Sequence, residues 1–202
     1  MCPRVFRRSL AAFLAAAFLS VPAFAKTDDR SRAMAAVRET FPDCSSCLLF
    51  AVPTQGALIH RHSLFVVSTL DRTPSPIWTV AVSPAGKTYL LSYRDPKDWT
   101  AMIKGEGLSL GKDDDVRAFA KMFVDLAVGQ ALFIPKLTPA ERQRIEKAGG
   151  RPSTAETRIV RGKDRIGITF YAYAKDVSGA LQFWNLILTP NGQITKAEVK
   201  EY

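Results

Sequence analysis

The sequence predicts an α+β fold, with helices packed on antiparallel β-meanders. Three observations lead there. Short apolar runs rich in β-branched and aromatic residues are separated by Pro- and Gly-bearing connectors, the pattern of consecutive antiparallel strands. Two strand series are each preceded by a segment with helical periodicity. The segments 77–88 (IWTVAVSPAGKT) and 183–194 (FWNLILTPNGQI) align without gaps, matching Trp78 to Trp184, Pro84 to Pro190 and Gly86 to Gly192. Good hairpins resemble one another, and a duplicated helix-plus-meander unit is the sharper reading of the same match.

Residues 1–25 read as a secretory signal: Arg4, Arg7 and Arg8 precede an apolar run, and Ala23 to Ala25 offer small residues for cleavage. The apolar run is shorter than the roughly 18 residues of a spanning helix. Cleavage after Ala25 takes three of the 28 basic residues and none of the 19 acidic ones, leaving a charge of +6. The expected product is periplasmic or secreted, with no transmembrane segment after cleavage. Outside the cytoplasm that modest positive charge suits another envelope protein or an anionic envelope polymer, and no nucleic acid is expected as partner.

The unit at 26–95 begins with a helix ended by Pro42, in which Met34, Val37 and Phe41 form one stripe. Strands are expected at 47–52, 62–70, 76–82 and 87–93. Residues 96–112 read as a polar connector. The unit at 113–202 is expected to hold two helices and then four strands. Its first helix opens at Asp113 to Asp115, runs to Ile134 and presents Val116, Phe119, Ala120, Phe123 and Ala127 on one face. A shorter one follows, in which Thr138, Pro139 and Glu141 make a capping box with proline at the first helical position. In this order of elements the chain resembles the cystatin-like architecture, a helix cradled by a curved antiparallel sheet. That scaffold hosts inhibitors, binding modules and enzymes, so the resemblance leaves the activity open.

The stretch 43–62 (DCSSCLLFAVPTQGALIHRH) contains both histidines and, once Cys2 leaves with the signal, both remaining cysteines. An even pair in an oxidising compartment favours a Cys44–Cys47 disulfide. Disulfide exchange calls for a thiol at a helix N-terminus, whereas this pair follows a helix. The alternative is a metal site, with zinc held by Cys44, Cys47, His60 and His62, two thiolates and two imidazoles in a tetrahedral set.

Catalytic signatures fail on context. Residues 107–111 (GLSLG) match the nucleophile-elbow pattern around Ser109, but no buried strand is expected before them and both histidines lie upstream. A hydrolase using His60 or His62 as base is the third reading. Two surfaces suggest binding instead. Tyr171, Tyr173 and Phe183 sit in strands apolar on both faces, which leaves a face for a partner unless something covers it. Arg158, Arg161, Lys163 and Arg165 concentrate positive charge around a hairpin turn, an anionic patch in the sense of one that would receive anions. The leading expectation is a non-catalytic binding or interaction module of the envelope.

Overall fold

The computed structural model describes residues 27–44, 46–52, 58–69, 78–92, 94–128, 131–152, 156–174 and 179–202. The expected signal segment lies outside them. The fold is α+β: four α-helices and two antiparallel sheets among the described residues.

Helix α1 (Thr27–Thr40) is followed by β1 (Cys47–Ala51), β2 (Ser63–Thr69), β3 (Trp78–Val82) and β4 (Thr88–Leu91), a meander in which each strand pairs with the next. Alternation divides the first sheet into two faces. Leu49, Phe65, Val67, Val80 and Val82 pack with Ala33 and Val37 of α1, and Phe41 stacks on Trp78 at a centroid distance of 4.0 Å. Leu64, Ala81, Tyr89 and Leu91 face the other way, into the largest core.

The connector contains a helix that the sequence reading missed. Helix α2 (Pro96–Glu106) is capped by Asp95, whose carboxylate accepts from the Lys97 backbone N–H at 3.2 Å, and it stops at Gly107 in the left-handed conformation. Its buried Trp99, Met102 and Ile103 have the i, i+3, i+4 spacing of an amphipathic helix. Gly107 is therefore a helix stop and Ser109 lies between two helices, in neither the strand nor the turn of a nucleophile elbow.

Helix α3 (Asp113–Phe123) buries the expected face, but it ends earlier than periodicity predicts. A π-helical turn at Val124–Val128 follows, and Ala131–Ile134 forms strand β5 instead of a last helical turn. An apolar run bordering a helix has no period of its own to mark the change. Helix α4 (Pro139–Lys147) carries the expected capping box. The remaining strands are β6 (Arg158–Arg161), β7 (Ile166–Ala174), β8 (Leu181–Leu188) and β9 (Ile194–Glu201). Strands β5 and β6 both pair with β7, β6 along Ile166–Thr169 and β5 along Tyr171–Ala174, so they lie end to end on one flank. The second series thus has five strands, one of them between the two helices.

Through the molecule the order is α1, first sheet, α2 with α3, second sheet, α4. The central core joins Leu64, Ala81, Tyr89 and Leu91 of the first sheet, Trp99, Phe119 and Phe123 of the helices, and Phe170, Trp184 and Leu186 of the second. Trp99 meets Phe119 and Phe123 edge-on, and Phe123 meets Trp184 in the same way.

The aligned segments form matching hairpins. Gly86 has φ 82° and Gly192 φ 80°, a region that L side chains seldom enter. In the first turn Gly86 N–H donates to the Ser83 carbonyl, and Lys87 N–H to the Ser83 hydroxyl. In the second, Gly192 N–H donates to the Thr189 carbonyl and Gln193 N–H to the Thr189 hydroxyl. Each tryptophan packs against a helix: Trp78 in the α1 cluster, Trp184 against Phe123 of α3.

Candidate functional site

Cys44 and Cys47 are paired as a disulfide, their Cα atoms 5.5 Å apart, within the span that disulfides bridge. Cys44 N–H donates to the Phe41 carbonyl at the end of α1, and Cys47 opens β1. The bond therefore fastens the start of an edge strand to the helix beneath it.

The histidines lie at the other end of the same hairpin. Cys47 is opposite Thr69 in the register, whereas His60 and His62 precede Ser63 at the start of β2. Seven positions of strand separate His62 from Thr69, on the order of 20 Å. The four residues expected to hold zinc do not converge, and among the described residues no group of three His, Cys, Asp or Glu side chains could hold a metal ion. The paired sulfurs also lack the thiolate form that zinc requires. The spacing in sequence misled because the strand carries its two ends apart.

What gathers around the histidines is Glu106, the last residue of α2, whose side chain is fully buried. Its Oε2 accepts from His60 N–H at 3.1 Å and Arg61 N–H at 3.0 Å, and its Oε1 from His62 N–H at 3.0 Å. The His62 ring places Nδ1 2.6 Å from Oε1. Burial works against ionisation here, but the His62 ring and the three backbone N–H groups outweigh it and hold the carboxyl at about 2, down from 4.5. Glu106 is therefore ionised at neutral pH, so Nδ1 is the donor in its contact with His62. The pair resembles the carboxylate–imidazole half of a catalytic triad, yet the His62 side chain is only 2 % exposed. Its ring packs edge-on to Tyr89, and a Cβ on Gly105 would come within 3.0 Å of it. The arrangement ties the loop before β2 to the end of α2. His60 is exposed and its Nδ1 stands 3.7 Å from Oε2. Sequence reasoning missed Glu106 because its partners lie 44 to 46 residues upstream and three consecutive backbone N–H groups have no side-chain signature.

The aromatic face expected to bind a partner is covered. Tyr171 is 2 % exposed and packs with Ile134, Leu137, Ile145 and Leu181, while Tyr173 and Phe183 border the same cluster beneath α4. Burial, and then a hydrogen bond to Glu141, push the Tyr173 hydroxyl above its ordinary value. For Glu141, burial is outweighed by the Thr138 backbone and hydroxyl and the Tyr173 hydroxyl, which hold its carboxyl below the usual range. These three aromatic residues close the second sheet against α4 and form no open groove.

The basic cluster is split. Arg161 directs Nε to Asp113 and Nη1 to the Leu110 carbonyl, both at 2.8 Å, tying β6 to the start of α3. Arg158, Lys163 and Arg165 are exposed around it.

One surface went unnoticed in the sequence. On the face of the first sheet away from α1, Leu48 is 39 % and Phe50 53 % exposed, both on β1, which among the described residues pairs only with β2. Val52 N–H donates to the Leu64 carbonyl, which fixes the parity of the strand: Leu48, Phe50 and Val52 turn their backbone groups towards β2, while Cys47, Leu49 and Ala51 turn theirs outward. From Cys44 to Ile59 the chain has no charged residue. The other sheet edges are blunted by devices that discourage strand addition. Strand β9 carries Lys196, Glu198, Lys200 and Glu201. On β4 the outward Leu90 N–H donates to Asp98 of α2 at 2.9 Å. On the remaining flank, β6 has Arg158 and Arg161, while β5, which exposes Leu132, is kept to four residues and runs directly into Pro135.

No helix among the described residues is long and apolar enough to cross a membrane. No protein-family model matches the chain, and no curated protein or solved structure matches it, so the cystatin-like comparison has no neighbour behind it.

Proposed function

We propose that this chain is an exported, non-catalytic binding module that takes an extended, uncharged segment of an envelope protein as an added strand on β1. The observation that carries the reading is that edge: outward backbone groups on Cys47, Leu49 and Ala51, exposed Leu48 and Phe50 beside them, no charged residue in the strand, and, among the described residues, no strand paired to its outward side. Main-chain hydrogen bonds would supply affinity, and the two apolar side chains would select an apolar segment. The disulfide supports the reading twice. It holds one end of the edge in place before binding, which lowers the ordering cost, and a paired CSSC accords with an oxidising compartment.

The test is photo-crosslinking in cells that express the full-length precursor, with a benzoyl-phenylalanine at position 50 or at position 198 on the charged β9. Protein adducts from position 50 and none from 198 are expected. Absence of adducts at 50, or equal yields from both, refutes the proposal.

A further inference from the structure

We infer that the strand received by β1 is β1 of a second copy of this chain, paired antiparallel about Leu49; this rests on the reading that β1 is the binding edge. A symmetric antiparallel pair has its twofold axis at the centre of one residue pair, and the parity of β1 decides which centre satisfies the backbone. Cys47, Leu49 and Ala51 point outward. With Leu49 opposite Leu49 of the second copy, Cys47 falls opposite Ala51 and Ala51 opposite Cys47. Every outward N–H and C=O of the strand then meets a partner, about six hydrogen bonds from three pairs that each exchange two.

The same register matches the side chains. Leu48 falls opposite Phe50 of the other copy and Phe50 opposite its Leu48, on the face where both are exposed. The four side chains make one apolar stripe across the twofold axis, and no charge on β1 is brought opposite a like charge. Helix α1 lies across the opposite face of this sheet from Leu48 and Phe50, and among the described residues no strand pairs with the outward edge of β1. The product is a continuous eight-stranded sheet from two four-stranded ones. The contact is isologous and self-closing, so it stops at a dimer and does not grow into a filament.

The register gives a test that a general apolar surface would not pass. The exported, oxidised protein is followed by sedimentation velocity from about 1 to 500 µM, the range that brackets a short strand-to-strand contact. Concentration-dependent dimerisation is expected. Leu48→Glu and Phe50→Lys, both at exposed positions, should each weaken it at least about tenfold. Mixed in equal amounts, the two variants should recover a heterodimer, because position 48 of one faces position 50 of the other. A monomer at every concentration overturns the inference, as does a dimer indifferent to both substitutions or a mixture that shows no recovery. Should the protein stay monomeric while position 50 still crosslinks to a different protein, self-pairing fails and the binding-module reading stands without it.

Discussion

Glu106→Gln isolates the contribution of the buried carboxylate. Both Glu106 oxygens accept backbone N–H groups, Oε2 from His60 and Arg61 and Oε1 from His62. Whichever way a glutamine side chain turns, its NH2 group faces a donor. In the wild type, burial opposes ionisation and the hydrogen bonds outweigh it, so that the carboxyl moves from 4.5 to about 2. By linkage this corresponds to about 3 kcal/mol of stability at neutral pH. A carboxyl depressed in the folded state stabilises fully above its unfolded value and loses that contribution as pH falls through the folded value. The difference between wild type and Glu106→Gln should therefore be about 3 kcal/mol at pH 7, on the order of 10 °C in Tm for a chain this size. It should narrow as pH falls from about 4.5 towards 2, because protonated Glu106 is as uncharged as glutamine. Urea unfolding at a series of pH values measures it, and taking the difference cancels carboxylates common to both proteins. A gap under about 1 kcal/mol at pH 7, or one constant from pH 7 to pH 3, refutes the reasoning.

Three further outcomes follow from the geometry. The protein, expressed as the full-length chain and purified without reductant, should resist thiol alkylation until reduced, and Cys44→Ser with Cys47→Ser should cost no more than about 2 kcal/mol, since the closed loop is short; free thiols in the untreated protein would count against the pairing. Gly192→Ala should destabilise by more than Gly86→Ala, whose strain alone is worth about 1 kcal/mol: a Cβ at Gly192 comes within 3.2 Å of the packed Ile103 and Phe119, whereas at Gly86 it meets the movable end of Arg32. Equal unfolding midpoints for those two variants would contradict this. Phe50→Lys should change stability by less than about 0.5 kcal/mol, while Tyr171→Ala, in a buried cluster, should cost about 3–5 kcal/mol; chemical denaturation of both separates surface from core.

The sequence made the fold class legible because most elements announce themselves locally. The α4 capping box, the α3 stripe and the two Pro-x-Gly turns need only neighbours within a few residues, and each is present. Helix α2 had signals too, Asp95–Pro96 at its start and Gly107 at its end, but its glycine and lysines made the segment look like a polar linker. The site was less legible because it depends on distance in space. Cys47 and His60 are near in sequence and far apart along the β1–β2 hairpin, while His62 and Glu106 are far apart in sequence and in contact. Tyr171 shows the same limit: alternation identified an apolar second face, and only the return of α4 over it decided that it belongs to the core.

The central core has a consequence for how the chain melts. Leu64, Ala81, Tyr89 and Leu91 belong to the first meander, yet they bury themselves against helices and strands of the later half. Separated from the rest, residues 27–92 would present these four side chains to water. The first meander keeps a cluster of its own against α1, but its second face is buried only in the shared core, so loosening either side of that core withdraws stability from both. A calorimetric scan should show one endotherm whose measured heat equals its van't Hoff heat. The two meanders would then melt as a single thermodynamic body.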